Sequence, residues 1–331
     1  MKKKTAISLL VLGLIIATYF AGPRSAEPFD FKPQIEFTQY QLSELDQNLK
    51  IRESTYKLRA DNEARIIWAD SIRKTEWAIL YLHGFSASQG EGAPVHQNIA
   101  QSISANLLLA RLSGHGYSEN QLGDFNANQA MRDAIEYLNI ANQLGKKVLV
   151  MGTSTGCTFA LNLAAMYPDK VDALVNLSPN IRVKDPAARL LNDPWGEEIA
   201  ELVIGTQRRV VSDSIGHAKY WDTLYTVHAL VELQGLLEST MQEETFAKIN
   251  QPCLNLCYYK SEDEQDPVVS VEHIEWMHEK LGTENPKKQL VKLDKVGNHV
   301  LASPIKSNDI HGTEMAILKF LQEVLGIAGL D

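Results

Sequence analysis

The stretch Lys146–Leu161, KKVLVMGTSTGCTFAL, decides the fold. An apolar run stops at Gly152. Ser154 follows between Thr153 and Thr155, Gly156 closes the group, and apolar residues then return at helical spacing. A strand that ends in Gly-x-Ser-x-Gly and leads into a helix has the arrangement of a nucleophile elbow. So sharp a turn strains the serine backbone, and the residues two positions away on either side must lack side chains. The serine hydroxyl then projects above the carboxyl edge of a sheet, at a helix N-terminus that favours developing negative charge.

Working outward, the same alternation repeats. Strand-like apolar runs occur at EWAILYLHG (76–84), NLLLARLSGHG (106–116), DALVNLSP (172–179), PCLNLCYY (252–259) and KQLVKLD (288–294). Helical patterns lie between most of them, as in NQAMRDAIEYLNIANQLG (128–145), and TEMAILKFLQEVLG (313–326) closes the chain. Continuous apolar strands separated by helices predict an α/β fold, with a mostly parallel, doubly wound sheet covered on both faces. EFTQYQL (36–42) and KLRADNEARIIWAD (57–70) are candidates for antiparallel strands at one edge.

One gap breaks the rhythm. Residues 180–250 show no clear strand but carry two helical patterns, PAARLLNDPWGEEIAELVIGT and YWDTLYTVHALVELQGLLEST. Bare loops of this length are uncommon in compact domains, so a helical cap is expected before the fifth strand of the series. Its apolar stripe (Leu190, Leu191, Trp195, Ile199, Leu202, Val203) and the aromatics Tyr220, Trp221 and Tyr225 suggest an apolar pocket.

The N-terminus reads MKKKTAISLLVLGLIIATYFAG, three lysines followed by an uncharged, mostly apolar stretch from Thr5 to Gly22. At about 18 residues it is at the lower limit for spanning a bilayer and long for a signal-peptide core. An uncleaved membrane anchor over residues 1–22 is expected, with lysines cytoplasmic and the body exported to a periplasmic or extracellular space; a cleaved signal is the alternative. Residues 23–40, rich in proline and charge, read as a tether, and 41–331 as the globular domain.

A serine hydroxyl needs a base, and the order expected of an elbow of this type is serine, acid, histidine. His299, in a loop beyond the last strand, is placed to serve Ser154. His273, His278 and His311 read as surface or capping residues, and His217 and His228 fall in the cap. The acid must orient the imidazole. The loop KSEDEQDPVVSVE (260–272) offers Glu262, Asp263, Glu264 and Asp266. Asp266 is the best choice because Pro-Val-Val would fix the loop after it, and Asp263 is second. Oxyanion donors are expected at the backbone N–H groups of Phe85, just after the strand end at His83-Gly84, and of Thr155. His83 reads as a loop support rather than a base.

In this order, LHGFSAS, LSGHG, GTSTG, DPVV and GNH resemble the α/β-hydrolase superfamily, in particular its monoacylglycerol lipase and carboxylesterase branch, over about residues 55–327. The elbow departs from many lipases in carrying threonine at both x positions. The resemblance implies a hydrolase with neither metal nor organic cofactor, acting on a small-molecule ester. A thioesterase or amidase with the same three residues, or a ligand-binding protein that has lost turnover, are the alternatives.

Bulk properties agree. Hydrophobic residues at 44% and charged residues at 22% describe an ordinary globular chain. A net charge of −9 without a basic stripe in the body gives no footprint for nucleic acid. Three cysteines (Cys157, Cys253, Cys257) are too few for a disulfide framework and lie in apolar runs, so buried free thiols are expected.

Overall fold

The computed structural model of the protein describes residues 2–30, 37–120, 122–212 and 214–330. Its strands, in chain order, are β1 (Arg65–Ile67), β2 (Thr75–Leu82), β3 (Asn106–Leu109), β4 (Gly145–Thr153), β5 (Ala173–Leu177), β6 (Gln207–Arg209), β7 (Leu224–Thr226), β8 (Cys253–Tyr258) and β9 (Lys288–Leu293). Seven of them form one sheet in the order β1-β3-β2-β4-β5-β8-β9, parallel except for the edge strand β1, which runs antiparallel to β3.

The apolar runs are continuous because alternate residues serve opposite faces, both of them covered. Ala78, Leu80, Leu82, Val148, Val150 and Leu174 face one core, packed beneath the helices Ala127–Leu144 and Thr155–Met166. Ile79, Tyr81, Leu107, Leu149, Met151 and Val175 face the other, with the helices Val95–Ser102 and Ile310–Glu323. Each fully buried leucine, isoleucine, valine or methionine among them contributes roughly 1.5–3 kcal/mol. All three cysteines are free and buried.

The chain order reverses between β2 and β4. From β2 the chain moves outward to β3, and β4 returns to the other side of β2. In open α/β sheets the crevice at the carboxyl ends of strands flanking such a point is where ligands bind. Here it is bounded by the residues after Leu82 and after Thr153.

Several expectations need correction. Of the two candidate edge segments only the second supplies a strand, β1. Residues 37–41 have no regular structure, Leu42 opens the helix Leu42–Ser54, and Glu36 lies outside the described residues. The region between β5 and β8 does contain strands. The pair β6 and β7 forms a separate antiparallel ladder, accompanied by a 3-10 helix Pro186–Asn192 and the helices Gly196–Ile204, His217–Tyr220, Val227–Thr240 and Glu243–Phe246. The apolar stripe in that region turns outward at Leu190, Ile199, Leu202 and Val203, which are all exposed.

The single-pass anchor is also corrected. The 19-residue helix Lys2–Phe20 opens with three lysines, and no helix among the described residues is long and apolar enough to cross a membrane. From Thr5 to Phe20 the helix spans about 24 Å, short of a hydrocarbon core of about 30 Å. The expected membrane attachment and exported location thereby lose the feature they rested on. Instead, Thr18 O accepts a hydrogen bond from Trp195 Nε1 at 3.1 Å. Within the expected tether, residues 23–30 lie along the body: the Trp195 amide donates to Pro23 O at 2.9 Å, and the Asp30 amide donates to Asn128 Oδ1 at 2.8 Å. Residues 31–36 of that segment lie outside the described residues.

Candidate active site

β4 delivers Ser154 into a turn with φ 53° and ψ −118°, a conformation that costs an ordinary residue about 1–3 kcal/mol. The surroundings hold it there. The Ser154 amide donates to Leu177 O at 2.9 Å, and its carbonyl accepts from Cys157 N at 3.0 Å and Asn180 N at 3.1 Å. Both flanking glycines are sterically required. A methyl on Gly156 would lie 2.0 Å from Leu82 O, and one on Gly152 would lie 2.7 Å from Cys157 N. The two threonines have work of their own: Thr153 Oγ1 is 2.9 Å from Tyr81 Oη, and Thr155 Oγ1 accepts from Asn180 Nδ2 at 3.3 Å.

Asp266 and His299 meet. His299 Nδ1 donates to Asp266 Oδ2 at 2.8 Å, while Asp266 Oδ1 accepts from the amides of Val268 (2.8 Å) and Val269 (3.0 Å). Burial acts to raise the Asp266 carboxyl, but the imidazole and these two amides outweigh it and hold it below the usual carboxylate range. For His299, burial acts to lower the imidazole, and Asp266, with a further contribution from Glu91, lifts it above the ordinary histidine value. The other acids of that loop, Glu262, Asp263 and Glu264, are exposed, and Glu262 and Glu264 bond to neighbouring tyrosines.

The loop after β2 is pinned from three sides. His83 Nδ1 donates to Gly84 O at 2.9 Å and its Nε2 accepts from Leu112 N at 3.1 Å. His115 Nδ1 donates to Ser113 O at 2.9 Å and its Nε2 accepts from Ser86 N at 3.2 Å. Burial pushes His83 down to about 4 and His115 further, so both rings are neutral supports. Glu91 Oε2 accepts from Gly84 N at 2.7 Å. The amides on either side of Phe85 are therefore committed. Thr155 N–H opens its helix at a position without an intrahelical acceptor. Gly84 is tight against the elbow: a methyl there would sit 3.0 Å from both Ser154 Cβ and Glu91 Oε2.

The insertion rests on this loop. The Asp222 amide donates to Ser86 O at 2.6 Å, Arg59 Nη1 pairs with Asp222 Oδ1 at 2.5 Å, and a methyl on Gly90 would fall 2.2 Å from the Tyr220 ring. Phe85 packs edge-on against Phe125 and Tyr225, with ring centroids 5.4 and 5.5 Å away. A cavity of about 220 Å³ opens beside Ile181, Arg182 and Leu237, one residue past Asn180. A roomier one, about 530 Å³, lies at the amino ends of the strands beside Trp68 and Leu107. Its size does not make it the site, because the chemistry-bearing side chains gather at the opposite edge.

Residues 73–292 match the family described as serine aminopeptidase, S33. The chain belongs to this family. It is a member of the α/β-hydrolase superfamily. One of the metagenome-derived lipolytic enzymes LipS and LipT is similar in structure, with a TM-score of 0.65 and 17% identity over 80% of this chain and 99% of that one. A monoacylglycerol lipase from Paleococcus ferrophilus aligns with a TM-score of 0.57 and 15% identity, covering 78% and 97%. Est1E from Butyrivibrio proteoclasticus, seen with ferulic acid, aligns with a TM-score of 0.56 and 18% identity, covering 80% and 95%. At these identities the likeness concerns the fold. An uncharacterised protein of Mycobacterium tuberculosis is 30% identical over 131 residues, so the match spans 38% of this chain and only 36% of that relative.

Within this α/β-hydrolase the sequence reading missed Glu91 and Asn180, and it placed Trp221 in a pocket wall and not beside Glu91. Glu91 had one signal: it is the sole charged residue between Glu76 and Arg111, in a stretch otherwise made of apolar and small polar residues. A charge there is either solvated or buried for a purpose, and it is 2% exposed. His273 and His278, expected on the surface, are half-buried; His278 Nδ1 lies 3.1 Å from Asn255 Nδ2 and His273 Nδ1 2.8 Å from Ser270 Oγ.

Proposed function

We propose that the protein hydrolyses carboxylic esters through an acyl-enzyme on Ser154. The observation that carries this reading is the 2.8 Å bond between His299 and Asp266 at the same sheet edge as the strained Ser154 turn. His299 Nε2 takes the Ser154 proton as Oγ attacks the ester carbonyl, and the amides of Phe85 and Thr155 hold the oxyanion. The imidazolium, steadied by Asp266, protonates the leaving alcohol. Water, deprotonated by the same ring, then releases the acid and restores Ser154. Residues 180–250 act as a cap on the domain 41–331. The aromatic wall of Phe85, Phe125 and Tyr225 beside the oxyanion loop supports an apolar, lipid-like or short-to-medium acyl ester as substrate.

Ser154→Ala is expected to abolish turnover of a p-nitrophenyl butyrate substrate and labelling by a fluorophosphonate probe, with an unchanged circular dichroism spectrum. Undiminished turnover in that variant would end the proposal. The family description favours a second reading, an amide as the scissile bond. Matched ester, thioester and amide substrates with one acyl group separate the two by their kcat/KM.

A further inference from the structure

We infer that Glu91 is a positioning residue for His299, a second carboxylate that supports the imidazolium while fixing the oxyanion loop through the Gly84 amide. The inference rests on the proposed role of His299 as the base.

Glu91 ends the short 3-10 helix Gln89–Glu91, which folds back under the loop after β2. Its Oε2 takes the Gly84 amide at 2.7 Å, and it accepts a side-chain hydrogen bond from Trp221 of the insertion. Gly84 separates it from Ser154 by little more than a backbone: one absent methyl would touch both. A carboxyl group with 2% exposure is costly unless something uses its charge. Asp266 meets His299 from the loop after β8. On the other side Val300, next to His299, clusters with Trp221 and with Ala87 of the loop after β2, which brings the segment that holds Glu91 against the His299 segment, where its charge favours the protonated ring.

The neighbours leave this pair free to couple. Around Glu91 stand Tyr81 from β2 and Cys157 from the elbow helix, both raised by burial well above their ordinary values and therefore neutral. His83 and His115 are neutral as described. Asp266 is ionised. Asp222, next to Trp221, is pushed up to about 6 by burial and is committed to Arg59. Glu91 itself is pushed up to about 7 by burial, restrained by the Gly84 amide, His299 and Trp221. Each of the two groups therefore changes the other's charge near neutrality: ionised Glu91 favours protonated His299, and protonated His299 favours ionised Glu91.

The test uses the full chain and the pH dependence of fluorophosphonate labelling and of kcat/KM for p-nitrophenyl butyrate. Glu91→Gln keeps an oxygen for the Gly84 amide but removes the charge. Its acidic limb is expected to move down by about 1 pH unit, because the imidazole then loses its proton more readily. A purely structural Glu91 predicts a uniform drop in rate with the limb unmoved, and that result overturns the inference. If Glu91→Gln does not fold, Trp221→Phe carries the test. Without the indole donor Glu91 ionises at higher pH, so the limb again moves down, by a smaller step; an unmoved limb there overturns the inference equally. A wild-type protein that neither labels at Ser154 nor turns over ester defeats the underlying role of His299 as well. Wild-type activity with unshifted variants defeats only the role of Glu91.

Discussion

His299 Nδ1 and Asp266 Oδ2 stand 2.8 Å apart although they come from different loops, one following β9 and the other β8. Those strands are neighbours in the sheet, paired from Cys253–Lys288 to Tyr258–Leu293. The register sets the distance between the loops, and the amides of Val268 and Val269 fix the carboxylate within its loop.

Asp266→Asn keeps an acceptor for those amides and loses the charge that orients and stabilises the imidazolium. Its kcat should fall by about 10,000-fold, with KM little changed and the melting temperature near that of the wild type. Steady-state kinetics and calorimetry check both parts; a fall below tenfold would count against Asp266 as the orienting acid.

The pH dependence follows from the same pair. His299 is lifted above its ordinary value of 6.5, and in the proposed mechanism the neutral ring is the base, so the acidic limb of kcat/KM should centre above pH 6.5. For stability the signs differ. The raised His299 stabilises fully below its unfolded value, and this is lost as pH rises through the higher folded value. The depressed Asp266 stabilises above its ordinary value of 3.8, and this is lost as pH falls through the lower folded value. The gap in melting temperature between wild type and His299→Gln should be widest from about pH 4 to 6.5 and should narrow above that window.

Gly156→Ala places a methyl 2.0 Å from Leu82 O, a backbone atom that cannot move aside. The expected loss is about 3 kcal/mol or more, read as a lowered urea midpoint, with activity gone even in the folded fraction. Gly205→Ala, where nothing lies within 4 Å but φ is +80°, should cost only about 1 kcal/mol.

The three thiols offer a check on packing. Cys157, Cys253 and Cys257 each show 0% exposure, and burial pushes Cys253 and Cys257 up to about 12. None should react with a thiol reagent in the native protein at pH 8, and all three should react on addition of denaturant. Rapid native labelling at any of them would contradict the packing of the sheet.

The parallel sheet was legible because its inner runs, WAILYL, NLLL and VLVM, are apolar at nearly every position, as a sheet covered on both faces demands, while the edge run KQLVKL fitted only through its place in the series. β6 and β7 were not legible: QRR and LYT are three residues each, QRR is fully exposed, and neither alternates. The helix Leu42–Ser54 escaped notice because only Leu45, Leu49 and Glu53 are buried on it, and Glu53 is held by Arg111 rather than by apolar packing. Ser154 was readable from its glycines, whose steric reason is local. Asp266 and His299 were readable through the order of motifs. Glu91 acts through partners at Gly84, Trp221 and His299, and no local pattern encodes a convergence of segments more than 200 residues apart.

The insertion touches more than the route to the site. Trp221 and Asp222 bond to the loop that carries Phe85, and Tyr220 leans on Gly90 within it. Under the proposed mechanism, selectivity and rate would thus be mechanically joined. If the insertion selects the acyl group as proposed, grafting it from a relative would also disturb residues 84–91, which it holds through Asp222 and Tyr220.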